Sequence, residues 1–388
     1  MVQMLIEENQ IDLSSIYIDG TKIEAYANRY SFVWKGSIEK YQEKLRIKVI
    51  ECLGLNENST AEGVLEVVRM FFNQIAKECT DKNIEFAYGQ GKRKHKLQRD
   101  YETLKDWKEK LEKYKEHLEI MGEHRNSYSK TDHEATFMRM KEDHMKNGQL
   151  KAAYNVQLAS ASGFIIGDNI SHHPSDMYTL KPFVRGLLEN YPNRLEKIVA
   201  DSGYESEENY VFLAEKGLNS YIKPSNYEKS KTRKYKKDME FRNSLIYDEK
   251  QNKYLSLDGK EFTRCKDKYR KRESGYVSIT KVYRCFDWNK EGEKTKGIYI
   301  SETFQKYREI SLKNIKSQQG IEERINRSIQ AEGAFSKLKD GLSYNRFHHK
   351  GKANAISEIN LLSIALNLNK LESKIIKKNL KIIKYKAA

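Results

Sequence analysis

Three acidic residues occupy positions at which a rigid element could hold a carboxylate: Asp19, Asp201 and Glu332. Carboxylate oxygens are the ligands that Mg²⁺ prefers. Two such ions, about 3.5–4 Å apart, can activate an attacking oxygen and stabilise a leaving oxygen in phosphoryl transfer. These residue types therefore permit metal-dependent chemistry on a phosphodiester. Each acid alone also has an ordinary explanation, as a turn residue, a strand end and a surface charge, respectively.

The elements that carry the acids follow from local patterns. Residues 16–25 alternate around Asp19-Gly20, which predicts a strand, a turn and a second strand. Lys197-Ile-Val-Ala-Asp201 is a short apolar strand whose last side chain would project at the end of a sheet. Residues 329–339 have a helical pattern that contains Glu332. Such distant segments must meet in space if the three acids are to act together.

The rest of the chain predicts a sheet interrupted by insertions. Leu97, Leu104, Leu111 and Leu118 recur every seven residues, which predicts a long amphipathic helix within a helical block. Strand patterns return at Tyr154. The organisation that we predict is an α/β fold in five segments: first strands of the core at 1–35, a helical insertion at 36–150, the core continued at 151–224, a mixed α/β insertion at 225–320, and the glutamate helix with C-terminal helices at 321–388.

The charge of the chain indicates which binding partners to expect, and its cysteine content indicates the redox state of its compartment. The 388 residues carry 71 Lys and Arg against 55 Asp and Glu, a net charge of +16, which favours a polyanion such as nucleic acid. A Lys-rich proteome would give the same excess without any such partner. The 4 cysteines are scattered with no CxxC pair, so we expect no zinc and a reducing cytoplasm. A membrane span is not predicted, because no apolar run is long enough.

Longer motifs around the acids resemble those of bacterial insertion-sequence DDE transposases, whose catalytic core is ribonuclease-H-like. The resemblance extends over nearly the whole chain. The motifs are IDGTKIEA (18–25), YSFVWK (30–35), YGQGKRK (88–94), RNSYSKTD (125–132), ATFMRMKEDHMK (135–146), YNVQ (154–157), VADSGYES (199–206), RSIQAEGAFSKLK (327–339), NRF (345–347) and NLNK (367–370).

The resemblance implies a mixed sheet with flanking helices, in which Asp19, Asp201 and Glu332 are catalytic and bind two Mg²⁺, with Mn²⁺ able to substitute. It implies DNA as substrate, at element ends and target, and a homo-oligomer. Lys339 lies seven residues after Glu332, so both should face the same side of the predicted helix. It matches a lysine that contacts phosphate near the cleavage point, and Arg327 or Arg324 could do likewise. The arginine expected four residues before the glutamate is Ser328 here.

Two departures from the family pattern keep other functions open. Few residues precede Asp19, where the family usually has a DNA-binding domain, so we expect that domain to be lacking. A DNA-binding remnant with impaired catalysis is one alternative, and a ribonuclease-H-like nuclease without strand transfer is another. The cysteine cluster that relatives often carry is reduced to Cys265 and Cys285.

Further cationic and imidazole groups have both functional and structural explanations. Lys92, Arg93, Lys94 and Lys96 form a cluster suited to phosphate contacts, or a solvated helix start. His172-His173 could suggest a metal, but adjacent strand residues point to opposite faces, so we predict a structural role.

Overall fold

The computed structural model describes residues 1–140, 148–272, 274–288 and 295–377. Residues 141–146 of the resemblance therefore lie outside the described residues. The strands are β1 (Ser15–Glu24), β2 (Phe32–Trp34), β3 (Ser127–Ser129), β4 (Thr136–Arg139), β5 (Leu150–Ala161), β6 (Phe164–Ser171), β7 (Lys197–Ala200), β8 (Asn219–Ile222), β9 (Ile246–Asp248), β10 (Lys253–Leu255), β11 (Glu261–Lys271), β12 (Val277–Cys285) and β13 (Lys296–Ile300).

The helices are α1 (Val2–Glu7), α2 (Lys35–Leu53), α3 (Ala61–Asp81), α4 (Lys96–Met121), α5 (Leu180–Asn190), α6 (Glu207–Glu215), α7 (Arg233–Asn243), α8 (Glu302–Lys316), α9 (Gln318–Arg327), α10 (Gly333–Ser336) and α11 (Lys352–Ile376). Two π-helical turns, Ser328–Glu332 and Lys337–Gly341, flank α10. None of the described helices is both long and apolar enough to span a membrane.

The chain forms two compact units. The first comprises Met1–Glu24 and Tyr154–Ala388, and the second comprises Ala25–Ala153. The division into five segments stays a prediction.

The first unit contains a mixed sheet with strand order β6-β5-β1-β7-β8. β1, β7 and β8 are parallel to one another, whereas β5 and β6 are antiparallel. Helices α5 and α6 cover one face through a core that includes Ile16 and Ile18 of β1. Tyr17 and Val199 face the other side, against Ile315 of α8 and Ala331 of the first π-helical turn. The predicted mixed α/β sheet with flanking helices is confirmed.

The predicted hairpin at Asp19-Gly20 is wrong, because β1 runs unbroken through both residues. The pair has the composition of a turn, but β1 hydrogen-bonds to β5 on one side and to β7 on the other. A glycine is needed at position 20 because a Cβ there would lie 2.9 Å from Cδ of the buried Gln157. Close approach of a neighbouring strand, and not a turn, explains this residue.

The first unit also holds an antiparallel sheet of order β13-β12-β11-β10-β9. Its core contains Phe262, Tyr283, Cys285 and Ile298, with Trp288 packed against them. The pairing of β11 with β12 shifts register between Cys265 and Lys268.

The second unit is built on α2, α3 and α4, with β2 paired to β3 and β4 paired to the first residues of β5. The long helix predicted from the seven-residue leucine spacing is α4, and its Leu104 and Leu111 are buried against α2 and α3. Packing of an amphipathic stripe between neighbouring helices accounts for its length.

Candidate acid site on the central sheet

Asp19 lies in β1, and Asp201 directly follows β7, the parallel neighbour of β1 in the first unit. The parallel register pairs Ser15 with Lys197 and Tyr17 with Val199, so each acid lies two residues beyond the last paired position of its segment. Adjacent strands are about 4.8 Å apart, and residues two positions apart share a face. Asp19, two residues after Tyr17, therefore belongs to the face of β1 that packs on the first π-helical turn, whereas Asp201 lies past the end of β7.

Asp201 follows β7 directly and caps a short 3₁₀ turn, Ser202–Tyr204. Its Oδ1 accepts a hydrogen bond of 2.8 Å from the backbone amide of Gly203. This contact fixes one carboxylate oxygen and orients the side chain at the carboxyl end of the strand.

Glu332 ends the π-helical turn Ser328–Glu332, and its side chain is 50% exposed. Such turns interrupt an α-helix with i→i+5 hydrogen bonds and occur frequently at functional sites. The preceding residue, Ala331, is buried against Tyr17 and Val199. The turn thus brings Glu332 to the side of the sheet that carries Tyr17 and Val199.

A buried carboxylate anchors the helix that leads into this turn. Glu323 of α9 accepts hydrogen bonds from Tyr17 Oη at 2.6 Å and from Ser15 Oγ at 2.8 Å, and Lys197 Nζ lies 3.6 Å away. Burial and the hydrogen bond to Glu323 raise the pKa of Tyr17 well above its ordinary value, so its hydroxyl stays a donor. These contacts tie α9 to both strands that lead to the aspartates.

Arg327 connects two of the acids. Its Nη2 donates to Glu332 Oε1 at 2.7 Å, and its Nη1 lies 3.7 Å from Asp19 Oδ1. The other oxygen of Glu332 accepts from Ser328 Oγ at 3.1 Å. The structure therefore places Arg327, predicted as a phosphate-contacting residue, between Asp19 and Glu332.

Sequence reasoning missed a buried polar network centred on β5, a neighbour of β1. Gln157 Nε2 donates to Asn155 Oδ1 at 2.9 Å and to Asp176 Oδ1 at 3.1 Å, and Asn155 Nδ2 donates to Asp176 Oδ1 at 2.8 Å. The hydroxyl of Tyr204 donates to Gln157 Oε1. Two polar residues in alternation on an otherwise apolar strand, Asn155 and Gln157, were the available signal.

This network lies close to the acids. Burial, together with the charges of Asp176, Asp19 and Asp201, raises the pKa of Tyr204 well above its ordinary value, so Tyr204 remains a neutral hydrogen-bond donor. A Cβ on Gly203 would lie 3.0 Å from Asp201 Oδ1 and 3.2 Å from Asp176 Oδ2. Asp176 is thus a fourth acid beside the site, and glycine at position 203 leaves room for both carboxylates.

The chemistry of Asp19, Asp201 and Glu332 suits a hard cation such as Mg²⁺, since all three supply carboxylate oxygens. In the described part of the chain, however, no three His, Cys, Asp or Glu side chains are grouped as a metal site. The oxygens of Asp19 and Glu332 are oriented toward Arg327 instead. The carboxylate oxygens are of the type that Mg²⁺ binds, and the guanidinium of Arg327 lies between two of these acids.

The other residues predicted to contact DNA are Lys339, in the first unit, and the cationic cluster before and at the start of α4, in the second unit. Lys339 lies in the second π-helical turn, which interrupts the α-helical period, so its predicted shared side with Glu332 stays a prediction. In the second unit, Lys92, Arg93 and Lys94 precede α4 and Lys96 begins it. Lys94 Nζ forms an ion pair of 2.6 Å with Glu102.

The predicted opposite orientation of His172 and His173 is wrong. Both residues follow the end of β6, and their rings stack with centroids 4.5 Å apart. The ring of His173 also packs on Tyr178 at 5.4 Å. Strand alternation does not apply past the strand end, and the packing supports the predicted structural role.

Residues 257–372 match the family model described as Transposase DDE domain. Over those residues the chain is similar to the DDE transposase family, which supports a DDE transposase. The matched region contains Arg327, Glu332 and Lys339, whereas Asp19 and Asp201 lie before it. No curated protein matches the chain, and no solved structure matches it.

The DDE domain match agrees with the observed architecture. The mixed sheet, with parallel β1, β7 and β8 flanked by the antiparallel pair β5 and β6, is consistent with a ribonuclease-H-like DDE transposase fold. The predicted resemblance to DDE transposases is confirmed. The roles of the individual acids, and the expectation of no zinc, stay predictions.

Proposed function

We propose that this chain catalyses metal-dependent DNA strand cleavage and strand transfer of a bacterial insertion sequence. The observation that carries the proposal is that Asp19 and Asp201 each lie two residues beyond the last paired position of adjacent parallel strands, with Glu332 linked to Asp19 through Arg327. Similarity to the DDE transposase domain adds DNA as the expected substrate.

In this proposal Asp19, Asp201 and Glu332 hold two Mg²⁺, or Mn²⁺ in their place. The ions would activate water, and later a DNA 3′-hydroxyl, and would stabilise the leaving oxygen. The protein contributes rigidity: Glu323 fixes α9 to β1 and β7, and the Gly203 amide orients Asp201. Rigid supporting contacts of this kind maintain the geometry that a phosphoryl transfer requires.

The proposed contacts to DNA are electrostatic. Lys339 and Arg327 would bind phosphate near the acids, and the cluster Lys92, Arg93, Lys94 and Lys96 would bind phosphate elsewhere. The net charge of +16 supports a polyanionic substrate. A homo-oligomer acting on paired ends in the bacterial cytoplasm is part of the same proposal.

The first experiment is nicking of a supercoiled plasmid that carries the element ends, with Mg²⁺ or Mn²⁺, by the full chain and by Asp201→Asn. Asp238→Asn is the matched control, because Asp238 is an exposed acid paired with Arg242 on α7. We expect metal-dependent nicking by the wild type and the control, and at least a hundredfold loss in Asp201→Asn.

A second assay supplies pre-cleaved ends with free 3′-hydroxyls and scores joined products. Cleavage without joining would show a nuclease and contradict strand transfer. Salt-sensitive DNA binding with no nicking by the wild type would instead show a DNA-binding remnant that has lost catalysis.

A further inference from the structure

Arg327 is the last residue of α9, and its side chain is only 17% exposed. The guanidinium lies between Asp19 on β1 and Glu332 at the end of the π-helical turn, with N···O distances of 3.7 Å and 2.7 Å. It thus pairs with one oxygen from each of two acids that belong to different elements.

A divalent ion that bound Asp19 and Glu332 through these same oxygens would compete with the guanidinium for them. Two cations competing for one pair of carboxylates repel each other. Metal binding therefore requires Arg327 to leave Asp19 and Glu332.

We propose that Arg327 is an internal counter-ion of the acid site, which offsets part of the charge of Asp19 and Glu332 until metal binds and then transfers to a DNA phosphate. This inference rests on the proposed function. Guanidinium geometry suits the exchange, because the planar fork binds carboxylate and phosphate equally well through paired N–H donors. In this role Arg327 is a positioning residue that couples two binding events.

The coupling has a thermodynamic consequence. If Arg327 must leave the acids before metal binds, and a phosphate stabilises its new position, DNA raises the affinity for metal. Reciprocity requires metal to raise the affinity for DNA by the same factor. Without Arg327, metal affinity in DNA-free protein increases and the effect of DNA decreases.

The experiment measures Mn²⁺ binding to the DNA-free full chain, from the paramagnetic resonance of the free aqueous ion. It compares the wild type with Arg327→Gln and Arg324→Gln. Arg324 is the matched control, because it lies one turn earlier on α9 and packs over the ring of Tyr227 at 5.5 Å. We expect Arg327→Gln to bind Mn²⁺ about tenfold more tightly than the wild type, equivalent to about 1.4 kcal/mol, and Arg324→Gln to match the wild type.

A short DNA duplex is then added to each protein. Mn²⁺ affinity should increase severalfold in the wild type and should change little in Arg327→Gln. If the Gln variant does not fold, Arg327→Met carries the same comparison, since it keeps an unbranched stem of similar packing.

Asp201→Asn separates this inference from the proposed function. Loss of Mn²⁺ binding in Asp201→Asn, with unchanged or weaker binding in Arg327→Gln, would overturn the counter-ion role and leave the acid site in place. Mn²⁺ binding that is insensitive to Asp201→Asn would contradict the acid site itself.

Discussion

Replacing Gly20 by alanine should destabilise the first unit, because position 20 has no room for a side chain. An added Cβ would lie 2.9 Å from both Cδ and Oε1 of Gln157, about 0.5 Å inside ordinary van der Waals contact. Gln157 is fully buried, and its amide group hydrogen-bonds to Asn155, Asp176 and Tyr204. Its side chain therefore cannot move without weakening several contacts.

The magnitude follows from these contacts. Overpacking of a buried site costs about 1–3 kcal/mol, and each weakened hydrogen bond costs about 1 kcal/mol. The reduced freedom of alanine in the unfolded chain offsets about 0.4–1 kcal/mol. We expect Gly20→Ala to lower the free energy of unfolding by about 2–3 kcal/mol.

Urea denaturation followed by circular dichroism measures this loss. Gly186→Ala on α5 is the control, because a Cβ there meets no atom within 4 Å, and helical Ala is favoured over Gly by about 0.5–1 kcal/mol. Gln157→Ala should relieve the clash, so the double variant should lose at least about 1 kcal/mol less than the sum of the single losses. A Gly20→Ala protein within 0.5 kcal/mol of the wild type would refute this reasoning.

Three further changes test other parts of the first unit. Burial raises the pKa of Asp168 to about 6 from an ordinary value of 3.8, so ionisation destabilises the fold as pH rises from about 4 through 6. Asp168→Asn should thus be more stable than the wild type by up to about 3 kcal/mol at pH 7.5. Melting curves recorded from pH 7.5 down to pH 4 test this, because a stability difference between the two proteins that stayed constant over that range would contradict it. Gly320→Ala places a Cβ 2.7 Å from Cα of Ile315, and this backbone overlap should cost at least about 3 kcal/mol in urea unfolding; near-wild-type stability would exclude the close approach of α8 and α9. Arg308 donates to both oxygens of the buried Glu205 at 2.7 Å and 2.9 Å, so Arg308→Ala should cost about 3–5 kcal/mol in thermal or urea unfolding, whereas a loss below 1 kcal/mol would show that water replaces the pair.

Local sequence determined the elements whose signal is periodic or compositional. Leu104 and Leu111 lie at the spacing that predicts α4, because a helix buries one stripe whatever its partner. The apolar residues that precede Asp201 predict β7, and the Ser-Gly pair that follows Asp201 predicts the end of the strand. Motif resemblance also indicated the DDE family, and the family match confirms it.

Tertiary structure decided the contacts that join distant segments. Asp19-Gly20 has the local composition of a turn, and only the approach of Gln157 from β5 explains why β1 continues straight through it. The π-helical turn at Glu332 and the position of Arg327 between Asp19 and Glu332 depend on how α9 packs on β1 and β7. These arrangements are set by residues more than a hundred positions apart, and the local preferences of a segment do not encode the geometry of such distant contacts.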